Sequence, residues 1–244
     1  QVDEIKRMVL TLGITLLENP DYEADDILGT AAEKFSSDGL EVYLVTGDKD
    51  AYQLVKDNVL IYANTRGISE YEIFDTDGIK NKTGLSPDLI IDYMALMGDS
   101  SDNIPGVKGI GEKTALKLIT EYGSLEKIYE NIESIKGKAG ELLKSGKDMA
   151  YLSRELVTIR RDVPFGKKLP DLAFKNIDPA TAVEYFNELE MTSIISDFFQ
   201  VNRDEMKSSG ASAGKKYITI KTVNDLKQMI AAVEKAGIVS FDTE

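Results

Sequence analysis

Seven acidic residues in three short segments are the positions where this sequence could do chemistry. They are Glu23, Asp25 and Asp26, then Asp48 and Asp50, then Asp99 and Asp102. Asp99 and Asp102 are three apart, so at a helix end, or in the turn after it, both carboxylates can point at one spot. There they repel unless a cation sits between them, which is the arrangement a hard divalent metal uses. Taken singly, each group has a plainer explanation: an acidic first turn favours the helix dipole, and Asp48 and Asp50 suit a turn followed by a cap. Capping does not call for three carboxylates in four positions. Seven converging carboxylates cannot all ionise without counter-cations. Two magnesium or manganese ions about 3.5–4 Å apart would relieve that repulsion, activate water and stabilise an in-line displacement at phosphorus.

A second kind of chemistry follows at once. Gly106, Gly109 and Gly111 allow sharp turns and close backbone approach, and Lys113 and Thr114 open an amphipathic run through Ala115, Leu118 and Ile119. The free N–H groups at such a helix start suit a phosphate. The expected unit is helix, glycine hairpin, helix, with Lys108, Lys113 and Lys117 gripping a phosphodiester backbone independently of base sequence. Two better-known glycine motifs do not fit. The order is G-x-x-G-x-G, and Ile104 and Pro105 before it make a poor end for a buried strand, against a dinucleotide site. Glu112 separates Gly111 from Lys113 and Thr114, against a phosphate-binding P-loop. The implied reaction is metal-dependent hydrolysis of nucleic acid.

Composition narrows the field. The chain has 244 residues, 42% hydrophobic and 29% charged, which is ordinary globular material for one large domain or two smaller ones. It contains no histidine, which removes Ser-His-Asp and Cys-His catalysis, imidazole bases and nearly all zinc sites together. Without cysteine there are no disulfides or thiolate metal sites, as suits the cytoplasm. The net charge of −13 argues against a uniformly basic nucleic-acid surface, yet bound divalent ions invert the local sign. No apolar run reaches membrane-spanning length, and no secretion signal is visible. The helix-like opening at Gln1 and the strand-like close over 241–244 give the expectation of a piece of a longer protein.

The elements that must position these groups can be read from periodicity. Ile5, Met8, Val9, Leu12 and Leu16 predict a helix over 2–18, ended by Asn19 and Pro20. Ile27, Leu28, Ala31, Ala32 and Phe35 predict a helix with an acidic first turn and Gly39 as its stop. Residues 41–46 read as a buried strand with Asp48 and Asp50 at its carboxyl end, where ligand groups gather in open α/β sheets. Residues 59–63 and 71–74 read as a strand pair around a hairpin turn, and Ser86, Pro87 and Asp88 as the cap of a helix carrying Ile90, Ile91, Tyr93, Met94 and Leu96. This alternation predicts an α/β domain with a parallel core. Beyond it the pattern is helical only: 112–121, 124–132, 138–157, 178–190 and 192–200. Arg160 and Arg161 read as a solvated pair or a phosphate contact. Residues 203–216 are small and polar and read as a linker, followed by a new α/β unit with strands at 217–220 and 238–242 around a helix capped by Thr222.

The residues from Tyr22 to Asp26, from Thr46 to Leu54 and from Gly98 to Ala115 resemble the 5′-nuclease domain family of bacterial DNA polymerases I, relatives of flap endonucleases. The resemblance covers about residues 1–200, and residues 238–244 resemble the first motif of a 3′–5′ proofreading exonuclease. It implies a PIN-like 5′-nuclease fold with a helix-hairpin-helix region at about 95–122, a nuclease portion over 1–202, the linker at 203–216 and an exonuclease-like start at 217–244. It also implies that Glu23, Asp25, Asp26, Asp48 and Asp50 line a first metal site and its surroundings, and that Asp99 and Asp102 serve a second. Catalysis would rest on Asp25, Asp26, Asp48, Asp99 and Asp102, with Asp242 and Glu244 as part of the exonuclease motif. The hairpin would bind duplex backbone and a monovalent cation such as K+. The expected partner is flapped, nicked or branched DNA. The chain would act as a monomer in the bacterial cytoplasm, at the nucleoid, in repair and primer removal. The family's first aspartate-bearing strands and its basic arch would precede Gln1, so the fragment alone is expected to be impaired. Two other readings stay open: a duplex-DNA-binding module that does not cut, and acidic clusters that are only solvated helix starts.

Overall fold

A computed structural model of the chain describes residues 1–66, 70–199 and 222–236. They fall into two compact units, 1–175 and 176–244.

In the first unit, helix α1 (Val2–Thr11) stops well short of residue 18, because Leu12 closes it and Gly13 turns the chain at φ 72°. Leu16 therefore lies outside the helix, and α1 has no buried residue. Helix α2 (Ala24–Ser37) buries Ile27, Ala32 and Phe35 and gives way to Gly39 at φ 83°, as the sequence pattern predicts. Strand β1 (Val42–Val45) runs parallel to β2 (Val59–Arg66), with Val42 opposite Val59 and Val45 opposite Tyr62. β2 turns back antiparallel into β3 (Glu70–Phe74), with Ile61 opposite Phe74. The described sheet, β1-β2-β3, is thus mixed: the expected parallel pairing is present in β1–β2 and the expected hairpin in β2–β3.

The reading of β1 as a buried strand needs correction. Side chains alternate across a strand, and only Leu44 is buried, while Tyr43 and Val45 are 47% and 70% exposed. On β3, Tyr71 and Ile73 are exposed as well. One sheet face carries the core residues Leu44, Val59, Ile61, Ala63 and Phe74, and the other lacks a covering layer among the described residues.

The helices that follow extend the same core. α3 (Thr76–Thr83) is capped by the Asp75 carboxylate, which accepts from Gly78 N at 2.8 Å. A 3-10 turn at Pro87–Leu89 leads into α4 (Ile90–Met97). α5 (Glu112–Tyr122) ends at Gly123, φ 84°, and α6 (Leu125–Glu130) is capped by Ser124. The single helix expected over 138–157 is two, α7 (Lys138–Ser145) and α8 (Lys147–Val157). They part at Gly146, where a Cβ would stand 2.7 Å from Val107 Cγ1. α8 packs against α4, and one continuous apolar core joins the sheet through Met94 and Leu96 to Val107, Ile119, Leu143 and Val157.

In the second unit, α9 (Pro179–Glu188) is capped by Asp178 and packs with α10 (Thr192–Phe199), and Phe186 and Ile195 are buried. α11 (Val223–Ala236) begins behind a reciprocal pair in which Asp225 N donates to Thr222 Oγ1 and Thr222 N to Asp225 Oδ2. The expected linker at 203–216, the strands at 217–220 and 238–242, and with them Asp242 and Glu244, lie outside the described residues.

Candidate metal centre

Asp50, Asp99 and Asp102 each bring a carboxylate oxygen to within 4.8 Å of the other two. Two short devices place them. After β1, Thr46 Oγ1 accepts from Asp48 N and Asp48 Oδ1 accepts from Asp50 N, both at 3.0 Å, so the chain bends tightly into a 3-10 turn over Asp50–Leu54. After α4, Gly98 turns at φ 76°, and Asp99 and Ile104 exchange backbone hydrogen bonds of 2.9 and 2.7 Å. That closes a loop containing Asp102, with Asn103 in the left-handed region at φ 57° and Asp99 Oδ1 accepting from Ser101 N at 2.7 Å.

The loop is clamped to the fold by Gly106. A Cβ there would meet Gly98 N at 2.5 Å and the Met97 carbonyl carbon at 2.6 Å, and its N–H donates to the buried Ser153 Oγ at 2.9 Å. Gly106 is therefore buried against the protein's own backbone, and its contribution is the shape of the hairpin. Gly109, Gly111, Lys108, Lys113 and Lys117 are exposed and Thr114 is half-buried at the start of α5, where no side chain caps the helix. None of the three lysines forms an ion pair within the described residues.

Electrostatics extend the cluster. Burial, and then the charges of Asp48, Asp102, Asp99 and Asp25, push the Asp50 carboxyl up to about 7. Asp25 is also raised, first by burial and then by Asp48, Glu23, Asp26 and Asp102. The three segments therefore do converge, with Asp50 beside Asp99 and Asp102, and Asp25 and Asp48 within electrostatic reach. Asp26 is differently employed. Its Oδ2 accepts from Glu23 N at 3.4 Å and its Oδ1 from Arg160 N at 2.8 Å, so it ties the start of α2 to a distant segment. Glu23, Asp25, Asp26 and Asp50 line one cleft of about 1040 Å3, together with Arg154 and Arg160.

That distant segment is what sequence reasoning missed. The buried Gln53 donates through Nε2 to Val157 O at 2.9 Å and accepts at Oε1 from Ile159 N at 3.0 Å. Val163 N donates to Thr30 Oγ1 at 3.0 Å, and a Cβ on Gly29 would stand 2.7 Å from Ile159 Cγ2. Residues 157–163 thus lie as a strap across α2 and the Asp50 turn. The only local signal is a lone amide between Tyr52 and Leu54 in an otherwise apolar stretch. Arg160 and Arg161, read as solvated or phosphate-facing, have partners within the chain: Arg160 pairs with Asp162 at 3.2 Å above the Tyr22 ring, and Arg161 donates to Gln53 O at 2.9 Å.

The donor set suits a hard divalent cation: every candidate ligand is a carboxylate oxygen, and the proton affinity of Asp50 is raised by burial and then by the neighbouring carboxylates.

Comparison with known proteins bears on family and fold. Residues 1–84 match the family described as 5′-3′ exonuclease, N-terminal resolvase-like domain, and residues 85–180 match the 5′-3′ exonuclease, C-terminal SAM fold. The DNA polymerase I of Caldicellulosiruptor bescii is 42% identical over 197 residues, 80% of this chain and 23% of that protein. The DNA polymerase I of Bacillus subtilis is 36% identical over 240 residues, 98% of this chain and 27% of its own length. The chain thus spans about a quarter of the length of these curated relatives. The catalytic core of Rad2 in complex with DNA substrate superposes with a TM-score of 0.51 at 17% identity, covering 80% of this chain and 68% of that one, which supports the fold.

Proposed function

The chain belongs to the 5′-3′ exonuclease family, and from that premise we propose that it is the 5′-nuclease portion of a DNA polymerase I, hydrolysing DNA phosphodiesters near a free 5′ end with divalent metal. The observation that carries this reading is the convergence of Asp50 with Asp99 and Asp102 from two separate segments, directly before a hairpin whose lysines form no ion pair within the described residues.

In this reading Asp50, Asp99 and Asp102, with Asp25 and Asp48 beside them, hold two magnesium or manganese ions. Metal bound there would supply a water of lowered pKa and neutralise charge developing at phosphorus. The chain's own residues do the rest. Asp26 fixes the first turn of α2 so that Glu23 and Asp25 face the cleft. Lys108, Lys113 and Lys117, with the open start of α5, hold the duplex backbone by its phosphates and set which phosphodiester reaches the carboxylates. Gly111 keeps that surface free of a side chain, Gly109 makes the left-handed turn at φ 89° against Leu142, and a monovalent cation such as K+ at the hairpin would complete the backbone contact. The substrate is a flapped, nicked or branched duplex, met by a monomer in the bacterial cytoplasm during repair and primer removal. Residues 203–216 serve as the linker to an exonuclease-like unit that contributes Asp242 and Glu244.

The test is cleavage of a 5′-flap DNA in magnesium, using this chain beside a version extended to the length of its relatives. In the extended protein Asp99→Asn or Asp102→Asn should lower cleavage by at least a thousandfold, because each removes a ligand, while flap-DNA affinity stays within about threefold. Loss of binding as large as the loss of cutting would sink this division of labour.

A further inference from the structure

We propose that a cavity of about 250 Å3 sharing Asp99 with the carboxylate cluster is a subsite for one nucleotide of the substrate strand, with the base inside and its phosphate at the mouth. The proposal rests on the nuclease reading and goes beyond it by naming what lies next to the metal centre.

The cavity is lined by Lys49, Tyr52, Lys82, Tyr93, Met97 and Asp99 among others. It is smaller than the roughly 300–1,000 Å3 of a drug-sized ligand site, so it has room for a ring and its sugar but not for a duplex. Its walls are chosen for a flat partner. Tyr52 is 7% exposed and held by the Phe74 ring, 6.3 Å between centroids, and the half-buried Tyr93 also lines the cavity. Aromatic faces accept any base by stacking, and a thioether such as Met97 adapts to a ring edge.

The mouth has the opposite character. Lys49 sits between Asp48 and Asp50 in the metal-bearing turn, and the Lys82 ammonium stands 4.2 Å from the centroid of the Phe74 ring. Both lysines are exposed, and neither forms an ion pair within the described residues. Asp99 stands at the same mouth and belongs to the metal cluster. Lys49 and Lys82 offer a phosphate two ammonium groups against the carboxylates of Asp99 and Glu112, which also line the cavity, while the attached base leaves water for the tyrosines. A mere packing gap would be lined by apolar atoms alone and would stay dry; this one opens between cations and a metal ligand.

The experiment uses the full chain with 13C-methyl methionine, in calcium to prevent hydrolysis, titrated with thymidine 5′-monophosphate and followed at the Met97 methyl resonance. The nucleotide should shift that resonance, and thymidine or inorganic phosphate alone should need at least tenfold higher concentration. Lys82→Ala should weaken the nucleotide at least fivefold. Met97→Trp, which fills the cavity, should abolish binding as read by calorimetry, its melting curve confirming that it folds. An unmoved Met97 resonance, equal response to phosphate alone, or undiminished binding by either folded variant overturns the subsite. The calcium-induced rise in melting temperature, measured on the same samples, reports the metal centre separately. If that rise is present and the nucleotide does not bind, the subsite alone fails. If it is absent and the nucleotide binds, the metal reading fails and the subsite stands.

Discussion

Asp50 is the described carboxylate that the fold perturbs to about 7 at the candidate metal centre. Its ordinary value is 3.8 and the folded chain raises it to about 7, chiefly by burial and then by Asp48, Asp102, Asp99 and Asp25. Without metal the folded state therefore holds a proton that the unfolded chain has released. The stability this brings is fully present below 3.8 and is lost as pH rises through 7. A divalent cation competes with that proton, so binding releases it, and affinity climbs over the same interval. Asp25, raised for the same reasons, adds in the same direction. The metal-free melting temperature should thus fall between about pH 5 and pH 8, and the magnesium-induced rise should grow across it. Asp50→Asn should flatten both trends in thermal melts. An equal magnesium effect at both ends of the range would refute the assignment.

At the level of elements, the strap over 157–163 does what the acidic segments cannot do for themselves. α2 and the Asp50 turn repel each other through their carboxylates, and Gln53, Thr30 and the backbone of Arg160 fasten them together. Gln53→Leu would leave Val157 O and Ile159 N unpaired in a buried place, a cost of about 2–4 kcal/mol. For a domain of this size that lowers the melting temperature by roughly 4–16 °C. Magnesium affinity should fall at least threefold as well, because the turn carrying Asp50 loses its anchor; calorimetric titration of magnesium at a temperature where the variant is folded checks this. A lower melting temperature with unchanged magnesium affinity would leave the strap a purely structural device.

Over the whole molecule, every described candidate ligand, the strap and the hairpin lie within residues 1–175, one of the two compact units. A chain cut after Lys175 should therefore fold and keep the full magnesium-induced rise in melting temperature. Its loss would mean that residues 176–244 take part in the centre. The unit also carries an open apolar sheet face, with Tyr43, Val45, Tyr71 and Ile73 exposed, and an α1 that buries nothing. No helix among the described residues is long and apolar enough to cross a membrane.

What could be read from the chain itself was whatever local stereochemistry dictates. The α2 stripe ends where Gly39 permits a left-handed turn, Ser124, Asp178 and Thr222 cap the helices they precede, and the glycine hairpin stands between α4 and α5. The carboxylates were legible too, because like charges at such density call for a cation wherever they meet. Whether and where they meet was a matter of tertiary structure. Folding put Asp50 beside Asp99 and Asp102, engaged Asp26 with the backbone of Arg160, and turned Gly106 inward to Met97. It also exposed one face of β1 and split the 138–157 helix where Gly146 meets Val107. Each of these depends on atoms far apart in sequence, and periodicity carries no record of which distant backbone will fill a given space.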